Sequence, residues 1–158
     1  MKEIALIGTN GHVMGDVLGA LLARGLSVNA MTDFPEKVMI EDSRLTVMHL
    51  PIEDHERVRE ALSGYHDAVL TYNDNLEDTY TNERTLKYFI DTVHAAREAG
   101  VARIVVVGSP ASSAYFVTDL RRLDDIDWVF ISTENDYPHR VADEVINPHF
   151  HREEYKED

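Results

Sequence analysis

Apolar residues run along this chain in two alternating rhythms. Short continuous blocks, EIALIG (3–8), LSVNAMT (26–32), LTVMHL (45–50), DAVLTY (67–72), ARIVVVG (102–108) and WVFIS (128–132), read as strands buried on both faces. Between them apolar positions recur at spacings of three and four, which marks helices with one buried stripe. Val13 to Arg24 reads as a helix stopped by Gly25, and Glu53 to Leu62 carries Val58, Ala61 and Leu62 on one face before Gly64. Thr79 to Ala99 reads as a long helix with Leu86, Phe89, Ile90 and Val93 on one face, ending at Gly100. Shorter helices fill 113–124 and 138–146. Strands and helices in alternation predict an α/β protein with a doubly wound parallel sheet of six strands, ordered 3-2-1-4-5-6.

Composition narrows the class. The 158 residues suit one domain, with residues 1–147 forming the sheet unit and 148–158 a polar, acidic tail ending HREEYKED. A net charge of −14 repels phosphate backbones and anionic lipid, which argues against direct nucleic-acid or membrane binding. No apolar run approaches the roughly 18 residues of a membrane span. The start, MKEI, enters a strand without a leader, and there is no cysteine to form disulfides, thiolate sites or a nucleophile. A cytoplasmic protein is the expectation.

The stretch GTNGHVMG (8–15) joins the first strand to the first helix. In a dinucleotide-binding turn the first glycine permits the bend and the second lets backbone N–H groups approach a pyrophosphate. The third allows close helix–strand contact. Gly8 and Gly11 fill the first two places, and Asn10, His12 and Val13 complete the cradle; Met14 stands where the third belongs, with Gly15 one residue late. Either Met14 crowds that contact or the turn is one residue longer and Gly15 serves it. A plain strand-to-helix turn remains the alternative to a binding loop. Asp33 ends the second strand about 20 residues on, where a carboxylate accepts the adenosine ribose hydroxyls and repels a 2′-phosphate. It reads equally as an acidic turn residue. Thr71, Tyr72 and Asn73 stand at the carboxyl end of the fourth strand, with Tyr72 either packing or touching a nicotinamide.

The stretches IALIGTNGHVMG, RGLSVNAMTDFPEK, LSGYHDAVLTYN, AAREAGVARIVVVGS and DIDWVFIS resemble, in that order, the NmrA-like branch of NAD(P)-dependent epimerases and dehydratases, among the atypical short-chain dehydrogenases. VADEVINPHFHREEY resembles that family's last helix and tail. The resemblance implies a Rossmann fold and a dinucleotide cofactor. It also shows departures. Many members carry arginine where Asp33 stands, which implies NAD rather than NADP. Pro51 replaces an aspartate that flanks adenine, and Gly108, Ser109, Pro110 replace a glycine-rich turn with only Gly108 kept. The segment that builds the family's substrate pocket, between the sixth strand and the last helix, shrinks to STENDYPHR.

Catalysis in the wider superfamily pairs a tyrosine with a lysine four residues on, which lowers the tyrosine's pKa toward the working pH. Tyr115 has Asp119 there instead, a carboxylate in place of the cation, and Ser109, Ser112 and Ser113 offer hydroxyls without a base. Ser109 and Tyr115 are weak catalytic candidates. His149 and His151, with His139, Glu153 and Glu154, have donor chemistry for zinc but no established spacing, and read as solvated histidines rather than a metal site. The expectation is a catalytically degenerate protein that binds NAD(H) or a protein partner, its own copy included. The alternative is a small NAD(P)H-dependent reductase or epimerase.

Overall fold

In a computed structural model describing residues 3–8, 12–72 and 79–148, the elements alternate as the pattern predicts. β1 (Glu3–Gly8) leads to α1 (His12–Ala23), β2 (Ser27–Thr32), β3 (Leu45–His49) and α2 (His55–Leu62). β4 (Asp67–Thr71), α3 (Thr79–Glu98), β5 (Arg103–Gly108), α4 (Pro110–Leu120), β6 (Asp127–Ser132) and α5 (Tyr137–Ile146) follow. A 3-10 turn, Pro35–Lys37, lies between β2 and β3. All five strand pairs are parallel, in the order β3-β2-β1-β4-β5-β6.

The pleat sends alternate residues of each central strand to opposite faces. Ile4 and Leu6 pack under α1 and α5, beside Val17, Leu18, Leu21, Val141 and Ala142. Ala5 and Ile7 pack on the other face, under α2, α3 and α4, with Val58, Leu62, Phe89, Val93, Phe116 and Leu120. Two buried faces explain why these strands read as unbroken apolar runs. Edge strand β3 mixes partly buried and exposed positions and has no fully buried residue.

Helix ends follow from local chemistry. Gly25 and Gly100, at φ +81° and +89°, close α1 and α3 in left-handed turns. The next residue's N–H reaches back to the helix, Leu26 to Leu21 O and Val101 to Ala96 O. α2 starts at His55 because the Asp54 side chain caps it, accepting from Arg57 N–H at 3.3 Å. α4 starts at Pro110, three residues before the expected 113, because Ser109 accepts from the Ser112 N–H at 3.2 Å and Pro110 suits the first turn. No helix among the described residues is long and apolar enough to cross a membrane.

Candidate functional site

Strand order reverses between β1 and β4, and a doubly wound sheet binds its ligand in the crevice beyond the carboxyl ends at that point. Register brings the sequence candidates to this edge. Gly8 pairs with Thr71, Thr71 with Val107, and Gly108 with Ser132, while Thr32 and His49 end the neighbouring strands. α1 begins just above β1 at His12, which is exposed, with no acidic residue in its first turn. Its N-terminal dipole therefore favours an anion at this edge. Asn10, Gly11 and Asn73 lie outside the described residues.

The glycines have different reasons. A Cβ on Gly8 would run into Thr71 Oγ1 and lie 2.8 Å from the Thr71 carbonyl oxygen. Close strand packing alone therefore demands glycine there. Thr71 is 1% exposed and donates its hydroxyl to Ile7 O at 3.2 Å, which locks β4 to β1 below the crevice. A Cβ on Gly108 would sit 2.6 Å from Ser112 Oγ and 3.3 Å from the Phe130 ring, so the β5–α4 turn is crowded by side chains rather than by backbone. A Cβ on Gly15 would meet nothing within 4 Å. Close helix–strand contact is thus not made at Gly15. Val13 and Met14 are both 2% exposed and packed in the core under α1, so the Met14 side chain fills the helix–sheet layer.

Asp33 follows β2 at the same edge. Its Oδ1 accepts the Ile52 N–H at 3.2 Å, tying the end of β2 to the turn between β3 and α2. Burial pushes its carboxyl pKa up, and nearby Glu53 adds to this; the Ile52 N–H and His49 pull the other way. An ionised carboxylate has about four acceptor sites. One backbone bond leaves capacity for ribose hydroxyls, and the turn-residue and ribose readings are compatible.

The reactive end is differently built. Tyr72 is 2% exposed, its ring edge-on to Phe89 at 5.1 Å and Phe116 at 5.6 Å between centroids, so the packing half of its reading describes its surroundings. The Ser109 side-chain oxygen caps α4, and Ser112 and Ser113 donate their hydroxyls to the Ser109 and Pro110 carbonyls. Tyr115 is 60% exposed beside an open depression of about 330 Å³ on the outer side of α3 and α4, with Ile90, Ala114, Thr118, Asp119 and Arg122. Asp119 lies against His94 of α3, Nε2 to Oδ2 2.8 Å. Six helical steps separate Ser109 from Tyr115 by about 9 Å of rise and about one and two-thirds turns, a net angle of roughly 120° around the axis. The two candidates are not brought together.

The short β6–α5 connection folds back on the edge, with Thr133 N–H bonded to Gly108 O at 2.9 Å and Ser132 Oγ donating to Glu134 at 2.9 Å. His139 lies 3.9 Å from Asp136; His149, His151, Glu153 and Glu154 fall outside the described residues. Sequence reasoning missed Phe34 and Lys37, directly after Asp33. The Lys37 ammonium sits 4.8 Å from the centre of the half-exposed Phe34 ring. The signal was present in DFPEK, an aromatic followed three residues later by a cation.

Sheet order, switch point and crowded glycines define a Rossmann-type fold. The family model for NAD(P)H-binding proteins matches residues 8–146, and the chain belongs to that family. No curated protein matches it. Among solved structures it is similar to an epimerase candidate of Bacteroides thetaiotaomicron, at 23% identity and TM-score 0.79, covering 94% of this chain and 92% of that one. It is also similar to the Streptomyces venezuelae dTDP-glucose 4,6-dehydratase with NAD bound (17% identity, TM-score 0.66), covering 80% of this chain and 54% of that one. An Escherichia coli NADPH-dependent quinone oxidoreductase (19% identity, TM-score 0.59) shares the fold over 80% of this chain and 46% of its own. The chain thus spans about half the length of these two enzymes.

Proposed function

We propose that the protein binds NAD(H) in preference to NADP(H) and does not turn it over, serving as a dinucleotide-sensing or partner-binding module. The glycine turn and the first turn of α1 (Gly8, Asn10, Gly11, His12, Val13) hold the pyrophosphate, and Asp33 accepts the adenosine ribose. Thr71, Tyr72 and Gly108 form the crevice floor. The observation that carries this reading is the contrast between the two ends of the crevice. Asp33 stands at the edge with acceptor capacity to spare, while Ser109 serves as a helix cap and Tyr115 lies on the outer helical face. Donor chemistry fits the adenosine half of the cofactor. When bound, the dinucleotide would supply hydride chemistry; four residues after Tyr115 stands Asp119, where a tyrosine–lysine base would have its lysine.

A second reading, a small NAD(P)H-dependent reductase or epimerase, is favoured by the length match to the Bacteroides epimerase candidate. Turnover separates the two. Purified protein given NADH with carbonyl, quinone and flavin acceptors is expected to show no oxidation above background. Oxidation that Ser109→Ala or Tyr115→Phe abolishes would establish the enzyme instead.

A further inference from the structure

β2 passes to β3 without an α-helix. After the 3-10 turn Pro35–Lys37, which lies against β3, residues 38–44 return to the start of β3 with no further helix. Val38, Leu45 and Val47 pack on the α1 face of the sheet, while Met39 and Ile40 between them are 85% and 37% exposed. β3 is the end strand, so one side of its backbone has no strand beside it. The Arg44 carbonyl accepts from the Val28 N–H and the Leu50 N–H donates to Thr32 O, both at 2.9 Å, which turns the even-numbered positions toward β2. Leu45, Val47 and His49 therefore turn their N–H and C=O groups outward. The Leu45 N–H donates to Asp42 O at 3.0 Å, and no bond among the described residues takes the outward groups of Val47 or His49. Open edges are usually blunted by lysine, proline, a bulge or a covering element. The strand LTVMH has neither lysine nor proline, and its ladder runs without a bulge from Val28 and Leu45 to Thr32 and His49.

The rim of this edge is acidic. Glu36 and Glu41 are exposed and enter no ion pair among the described residues, whereas Arg44 is held by Asp42 at 3.0 Å and Lys37 lies over the Phe34 ring. We propose that the outer edge of β3 receives an extended, basic segment of a partner protein as a further strand of the sheet. Its backbone pairs with Val47 and His49, its apolar side chains lie against Met39 and Ile40, and its cations face Glu36 and Glu41. A second copy of this chain is the poorer occupant, because it brings the same acidic rim and a net charge of −14 of its own. The inference rests on the partner-binding half of the proposed function and gives it a surface; it does not need the dinucleotide crevice. Each added backbone bond is worth about two- to tenfold in affinity, and each exposed charge pair about one and a half- to fivefold.

The test titrates the intact protein with a capped peptide of alternating lysine and valine, beside the same peptide with proline for its central valine and a glutamate–valine analogue. Calorimetry reads affinity, and amide hydrogen exchange reads the Val47 and His49 N–H groups. The lysine–valine peptide should bind saturably and protect both amides, the proline-centred peptide should bind about tenfold more weakly or worse, and the glutamate analogue should not bind. Val47→Pro removes an outward N–H and no bond to β2, and should weaken the peptide by about tenfold or more. Where that variant melts early, the surface pair Met39→Ser and Ile40→Ser should weaken binding at an unchanged melting temperature. Glu36→Lys with Glu41→Lys should weaken it further as salt is lowered. Equal binding of the proline-centred peptide, or binding that leaves the Val47 and His49 amides unprotected, overturns the inference by making the attraction one of charge alone. No binding of the lysine–valine peptide overturns it too. Protection of those amides in the protein by itself, lost on dilution and in Val47→Pro, overturns it in favour of a second copy. NADH titrated separately reads the crevice, so its failure and that of the β3 edge are told apart.

Discussion

Gly8 and Gly15 belong to one motif in the sequence and to different physical situations in the fold. Gly8→Ala forces a methyl into Thr71, an overpacking that typically costs about 1–3 kcal/mol. The variant should melt at lower temperature without any ligand present, so lost binding in it says nothing about phosphate. Gly15→Ala meets open space inside α1 and should stabilise by up to about 1 kcal/mol through helix propensity, raising the melting temperature by roughly 2–4 °C. A lower melting temperature in Gly15→Ala would mean that the position is crowded after all. Met14 is the opposite case. Its burial makes Met14→Gly a core deletion, on the scale of the roughly 2–5 kcal/mol of large-to-small changes, well beyond the glycine helix penalty alone.

Asp33 carries the pH prediction. Because burial raises its pKa above the ordinary aspartate value, folding favours the protonated acid, and its contribution to stability declines as pH rises through that window. Ribose hydroxyls need the ionised form as acceptor. NADH affinity should therefore fall as pH drops through the raised pKa, beginning above the range of an exposed aspartate. Asp33→Asn should flatten that dependence, measured by titration from neutral to mildly acid pH. Asp33→Arg should narrow or reverse the preference for NADH over NADPH. A parent pH profile identical to that of Asp33→Asn would remove the carboxylate from the site.

At the scale of elements, periodicity located the six strands and five α-helices of the described residues, because a stripe facing a two-sided core repeats strictly. Boundaries depended on single side chains. α2 and α4 start where Asp54 and Ser109 cap them, and the apolar stripe carries no information about a cap outside it. Three residues of offset at α4 matter, since they fix which way Tyr115 points relative to Ser109. Asp54→Ala should cost about 1 kcal/mol through loss of the bond to the Arg57 N–H. Chemical denaturation should show the cost as a shifted midpoint with an unchanged slope. An unshifted midpoint would mean that water replaces the cap fully.

For the whole molecule, sheet order and layers were legible because continuous apolar strands admit one architecture, α1 and α5 against α2, α3 and α4. The candidate site was legible only as far as backbone geometry dictates it. Gly8, Thr71 and Gly108 reach one edge through strand register, and Asp33 follows β2 at that edge. Contacts between distant segments were hidden: Asp33 with Ile52 and Asp119 with His94. Each depends on rotamers and loop paths that hydropathy does not encode. The account therefore stands on binding at that edge, and one titration reaches it most directly. NADH titrated calorimetrically into the purified protein, with NADPH as the comparison, should give saturable binding with NADH the tighter ligand. No binding of either at millimolar concentration would contradict the account and leave the glycine loop a turn.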